Sequence, residues 1–162
     1  MKVKEFVIAL MIAGVGIFQQ PCALAVNYAN DEQINISVYE KINPAIVAIE
    51  AQLDDGVSAG TGCIVTSDGV ILTGSHVVDG CRNVEVTMYN GQTYSAKVIS
   101  KMGKNKDLAL LKIEPKTALK TVKFGDSENI KVGQRVLAIG NPFGFAGTLT
   151  PVSYTHLTLP TN

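Results

Sequence analysis

Few residues in this 162-residue chain can do chemistry. The histidines are His76 and His156, and the cysteines are Cys22, Cys63 and Cys81. His76 follows the β-branched run Val70-Ile71-Leu72-Thr73 and the pair Gly74-Ser75. A strand would hold the backbone of such a histidine, and the turn after it would open the ring to a cleft, as a general base requires. A structural histidine packed at a strand end fits the same placement. Asp107 heads Leu108-Ala109-Leu110-Leu111, so its carboxylate stands at the mouth of a buried strand. There it can accept an imidazole N–H and fix the tautomer, or serve as a turn residue or strand-end cap.

A base and its carboxylate need a nucleophile to act on. Ser127 lies in Gly125-Asp126-Ser127, but Glu128-Asn129 follow. A nucleophile loop needs small residues there, so that its backbone N–H groups can approach an oxyanion. Ser127 is therefore read as part of a turn. No Gly-x-Ser-Gly-Gly string occurs in the chain, so the nucleophile and the oxyanion hole are expected to be absent from it. No cluster of metal-ligating residues and no phosphate-binding glycine loop is seen, so neither a metal nor a cofactor is expected. Lys and Arg total 14 against 14 Asp and Glu, a balance that gives no basic patch for nucleic acid.

Hydrophobic residues make up 46% and charged residues 17%, ordinary for a chain that forms a core. There is no Trp, and Val, Ile and Gly are plentiful, which favours strands. Two apolar runs flank Ser67-Asp68-Gly69, and two more flank Asn90-Gly91, both hairpin signals. At Asn90-Gly91 a strict two-residue turn would mismatch the faces. A three-residue loop with Gly91 left-handed pairs Met88 with Gln92 and Val86 with Tyr94. Val84, Val86, Met88, Tyr94, Ala96 and Val98 then share one face. The same device is expected at Ser67-Asp68-Gly69. Further strands are expected at 45–49, 107–113, 121–124 and 135–139, the last one buried, with one helical turn after His76. About six or seven strands at near-regular spacing, with no long helix, read as an all-β barrel or sandwich. Cys63 and Cys81 read as two buried free thiols, with a disulfide between them as the alternative. The hairpin partner of Cys63 lies near Thr73, and Cys81 falls several residues beyond that register, whereas a bridge needs Cα atoms within about 7 Å.

Three stretches now stand in order. They are 60–78 (G-T-G-C-I-V-T-S-D-G-V-I-L-T-G-S-H-V-V), 106–112 (K-D-L-A-L-L-K), and Val132-Gly133-Gln134 through A-I-G-N-P-F-G at 138–144. Together they resemble the HtrA/DegP-type trypsin-like serine proteases over roughly 42–150. The resemblance implies that His76 is the catalytic histidine and Asp107 the catalytic aspartate. It narrows the fold to the first, N-terminal six-stranded barrel of a chymotrypsin-like two-barrel fold, with the second barrel missing from this chain. The implied activity is ATP-independent serine endopeptidase action on unfolded or misfolded polypeptides, in exported protein quality control, by a trimer-based homo-oligomer. The chain as it stands is expected to be inactive. The competing reading is a non-catalytic binding or assembly barrel.

The flanks complete the layout. Residues 1–25 have a basic start, an apolar run at 6–18 too short to span a bilayer comfortably, and Ala23-Leu24-Ala25 as an A-x-A cleavage site. They read as a signal peptide cleaved after Ala25, giving a periplasmic or otherwise extracytoplasmic protein, with an uncleaved membrane anchor as the alternative. Residues 26–41 form an N-terminal arm or short helix, and 42–150 the protease barrel. The apolar pattern breaks after Thr150, and 151–162 are expected to be a non-native tail. Val152 to Thr161 back-translate as GTC TCT TAT ACA CAT CTG ACG CTG CCG ACG, which resembles a transposon-end sequencing adaptor. On that reading His156 has no role.

Overall fold

The computed structural model describes residues 29–102, 106–140 and 147–153. The leader at 1–25, the motif residues 141–144 and the tail from 154, with His156, lie outside the described residues.

The arm is a helix, α1, at Asn30–Ile42. Asp31 and Glu32 lie in its first turn and Lys41 in its last, each charge matched to the helix dipole. A 3₁₀ turn at Asn43–Ala45 carries Pro44 at its start, where a missing N–H costs nothing. It delivers the chain into β1, Ile46–Gln52. Then follow β2, Val57–Ile64, and β3, Val70–Thr73. Next come β4, Asn83–Met88, β5, Thr93–Lys101, and β6, Ala109–Lys112. These six strands close into an antiparallel barrel in the order β1-β2-β3-β6-β5-β4. Closure leaves no free edge among them. The barrel is the one expected from the sequence.

Alternation fills the interior. Ile49, Ile64, Ile71, Leu111 and Ile113 are fully buried at its centre, with Val47, Val78 and Val86 around them. Each such side chain stabilises the fold by roughly 1.5–3 kcal/mol through removal from water. The small residues in β2 are part of this packing. A Cβ on Gly62 would stand 2.6 Å from Ile71 Cγ2 and 2.8 Å from Ile49 Cδ1, so only glycine lets these two branched side chains meet across the barrel.

The Asn90-Gly91 hairpin takes the expected form. Val86 faces Tyr94, Met88 N–H donates to Gln92 O at 2.8 Å, and Gly91 is left-handed at φ 81°. Val84, Val86, Met88 and Ala96 point inward and are buried. Val98 does not stay inside; it is part exposed, because a bulge between Val98 and Ser100 inserts Ile99 and breaks the alternation of β5. The turn at Ser67-Asp68-Gly69 also has a left-handed glycine, Gly69 at φ 100°. An additional bulge accompanies it. Both Val65 and Thr66 N–H groups reach Val70 O, so Ile64 faces Ile71.

Two expectations need correction. Residues 121–124 form no strand; Val122 N–H bonds singly to Ile64 O and Leu119 N–H to Ser67 O, an extended strap rather than a ladder. The segment at 135–139 is not a buried strand. It lies in β7, Arg135–Gly140, which leaves the barrel and pairs with β8, Thr148–Ser153, in a separate two-stranded sheet, part exposed throughout. α1 is tied to this hairpin. Tyr39 Oη donates to Gly147 O at 2.8 Å, and Arg135 Nη2 lies 2.7 Å from Asp31 Oδ2.

Candidate active site

The barrel brings His76 and Asp107 together by register. β3 and β6 are antiparallel neighbours with Thr73 opposite Ala109. His76 therefore leaves β3 at the end where Asp107 enters β6. Thr73 is buried and its hydroxyl donates to Thr61 O at 2.9 Å, which fixes the last residue of β3 to β2. The chain then turns through a 3₁₀ turn at Ser75–Val77, with Val77 N–H on Gly74 O and Val78 N–H on Ser75 O, both at 3.2 Å. The expected helical turn thus includes His76 rather than following it. Val77 and Val78 plug the turn into the core. Across the gap, Leu108 N–H bonds to Lys106 O at 2.9 Å, a tight bend with Asp107 at its apex.

At the centre, His76 Nδ1 lies 2.5 Å from Asp107 Oδ2. An ionised carboxylate only accepts, so Nδ1 carries the proton and Nε2 of the neutral ring is the free acceptor. Asp107 Oδ1 accepts two more bonds, from His76 N–H at 2.9 Å and from Ser75 Oγ at 2.8 Å. The His76 backbone N–H, then the Ser75 hydroxyl, then the His76 ring hold the Asp107 carboxyl down at about 2 against an ordinary 3.8. It is ionised throughout the neutral range. Both side chains face solvent, His76 at 73% exposed and Asp107 at 57%. The ring's face toward Gly74 is tightly closed: a Cβ there would stand 2.7 Å from His76 Cε1 and 3.3 Å from Asp107 Oδ2.

Ser127 is not brought to this pair. It opens a 3₁₀ turn at Ser127–Asn129, capped by Asp126, whose Oδ1 accepts Glu128 N–H at 3.0 Å, and it makes no hydrogen bond to His76. The turn expected there is present. Cys63 and Cys81 are both free thiols, but half-buried rather than buried. Burial pushes the Cys63 thiol up, against a smaller opposing backbone hydrogen bond. Among the described residues no three His, Cys, Asp or Glu side chains are grouped to hold a metal ion.

Sequence reasoning missed two contributors, Ser75 and Gly60. A hydroxyl between the strand and the histidine is a visible signal, but its target is not. A Cβ on Gly60 would lie 2.6 and 2.8 Å from the two γ-carbons of Val77, so the first glycine of G-T-G makes room for the residue that anchors the His76 turn.

Residues 60–158 match the family model described as a trypsin-like peptidase domain. The chain is 46% identical over 107 residues to a "Probable periplasmic serine endoprotease DegP-like" of Marinomonas sp., covering 65% of this chain and 22% of that protein. It is 38% identical over 120 residues to "Serine protease HTRA1" of Xenopus tropicalis, covering 70% and 26%. It is 45% identical over 111 residues to "Magnetosome formation protease MamE" of Paramagnetospirillum magneticum, covering 67% and 14%. The chain thus spans about a quarter or less of the length of these relatives.

Proposed function

Because this chain belongs to the trypsin-like peptidase family, in its HtrA/DegP-type branch, we propose that it is the N-terminal barrel of a serine-type endopeptidase. His76 is the general base and Asp107 orients it. The observation that carries this reading is the 2.5 Å contact from His76 Nδ1 to Asp107 Oδ2, which leaves Nε2 as the open acceptor. Nε2 takes the proton of a serine hydroxyl as that oxygen attacks the scissile carbonyl, then returns it to the leaving amine. Asp107 stays ionised and stabilises the imidazolium formed between those steps. The serine and the oxyanion-binding N–H groups come from a second barrel that lies beyond Thr150 in the native frame.

Several further features belong to the same proposal. The substrates are unfolded or misfolded polypeptides, cleaved without ATP in exported protein quality control. Relatives named as periplasmic endoproteases, together with the basic and apolar start of this chain, support an extracytoplasmic site with cleavage after Ala25. The working unit is a trimer-based homo-oligomer. Residues 151–162 are adaptor-derived, and the native reading frame continues from Thr150 into the second barrel. Purified 26–162 has nothing for His76 to activate and is inactive.

The test has two parts. Re-sequencing the locus from intact DNA should extend the frame past Thr150 to a Gly-x-Ser-Gly-Gly loop. Protein made from that frame should cleave unfolded casein, and His76→Ala should abolish the cleavage. Independent genomic reads that end the frame with a stop codon after Asn162 would overturn this and promote the non-catalytic binding barrel. Casein cleavage by 26–162 itself, lost with His76→Ala, would overturn the inactivity.

A further inference from the structure

We propose that Ser75 is a positioning residue of the His76–Asp107 pair: its hydroxyl occupies Asp107 Oδ1 and so leaves Oδ2 as the acceptor for His76 Nδ1. Its catalytic meaning rests on the reading of His76 as a general base; its geometry does not.

The carboxylate of Asp107 sits on a bend at the surface, more than half exposed. The terminal torsion of an aspartate is broad and nearly two-fold, so one donor on Oδ1 restrains the carboxylate less than two. One such bond comes from His76 N–H to Oδ1 at 2.9 Å. The Ser75 hydroxyl adds a second donor to the same oxygen, 2.8 Å away and from the adjacent residue of the same turn. Two donors converging on Oδ1 hold the plane of the carboxylate, and Oδ2 is thereby aimed at the ring at 2.5 Å. Water would otherwise compete for Oδ1 at so exposed a site.

The local alternative for such a serine is to cap or back-bond its own turn. Ser75 does neither: the 3₁₀ turn has no side-chain cap, and the hydroxyl reaches across to the strand β6 side instead. Gly74 supports the arrangement by vacating the space that the ring and Oδ2 share. The dipeptide Gly74-Ser75 therefore does two jobs, clearance and donation, for the histidine that follows it.

Carbon-13 carboxyl NMR of the chain tests this directly, by following the titration of Asp107 in the unmutated protein, Ser75→Ala, Ser75→Thr and Ser75→Cys. Ser75→Ala should raise the Asp107 midpoint from about 2 toward the ordinary range. The size of the rise is roughly 0.5–1 pH unit, set by losing one hydrogen bond to a charged but exposed acceptor. Ser75→Thr keeps the hydroxyl and should restore the midpoint. Ser75→Cys keeps the size, weakens the donor, and gives the same reading should the alanine variant not fold. A lowered melting temperature with an unmoved midpoint in the alanine and cysteine variants would reduce Ser75 to a structural role and overturn the proposal. The titration is read on the pair itself, so it decides the role of Ser75 independently of whether the whole protein is a peptidase; His76→Ala in the extended protein decides that.

Discussion

Gly60→Ala should loosen the base of the His76 turn. The added Cβ would lie 2.6 and 2.8 Å from the γ-carbons of Val77, against about 3.5–4.0 Å for a favourable carbon–carbon contact. Val77 is 4% exposed, so its side chain cannot simply rotate into solvent. Overlap of about 1 Å in a packed interior costs roughly 1–3 kcal/mol. Replacing glycine returns about 0.4–1 kcal/mol by restricting the unfolded chain. Gly56→Ala is the matched control, because nothing lies within 4 Å of a Cβ there. Comparing the two cancels the unfolded-state contribution. Gly60→Ala should therefore be less stable than Gly56→Ala by roughly 1–3 kcal/mol, with a melting temperature lower by about 4–8 °C for each kcal/mol. Urea and thermal denaturation followed by circular dichroism give the difference. Nitrogen–proton correlation spectra should show shifts centred on Val77, Val78 and His76. Equal stability of the two variants, with those resonances unmoved, would refute the claim that the G-T-G glycine seats the His76 turn.

Three more outcomes follow from the same contacts. Asp107 titrates at about 2 in the folded chain and at 3.8 ordinarily, so its ionisation favours folding; that contribution is complete above about pH 4, declines as pH falls, and is gone below about pH 2. Urea midpoints measured across that window should fall less steeply in Asp107→Asn than in the unmutated chain. Tyr39→Phe removes the 2.8 Å bond to Gly147 O and should lower the protection of β7 and β8 amides from hydrogen exchange by roughly 0.5–1.5 kcal/mol, leaving the barrel amides unchanged. Iodoacetamide on the unreduced, unfolded chain should label both Cys63 and Cys81 without a cross-linked peptide, and Cys63 should react more slowly in the folded chain, since burial raises its thiol.

How much of this was legible before any coordinates depended on how local the cause was. The barrel strands could be read because alternation and the Asn90-Gly91 signal fix register within a few residues, as Val86 opposite Tyr94 bears out. His76 and Asp107 could be named from their motifs, but their 2.5 Å approach depends on β3 pairing with β6, a contact far apart in sequence. The bulge at Ile99, which turns Val98 outward, leaves no mark in the apolar pattern. The segment at 135–139 looked buried because Val136, Leu137 and Ile139 are apolar; apolar character alone does not say which surface covers a strand, and among the described residues β7 pairs only with β8. Ser75 was unreadable because its importance lies in which oxygen of Asp107 it occupies.

The central claim is that Asp107 holds His76 with Nε2 free to take a proton. Nitrogen-15 NMR of the imidazole at roughly pH 8.5, where an ordinary histidine is neutral, reads this directly. The account predicts the proton on Nδ1 in the unmutated chain and its transfer to Nε2 in Asp107→Asn. A proton already on Nε2 of the unmutated protein would contradict it, since Nε2 could not then accept a proton from a nucleophile.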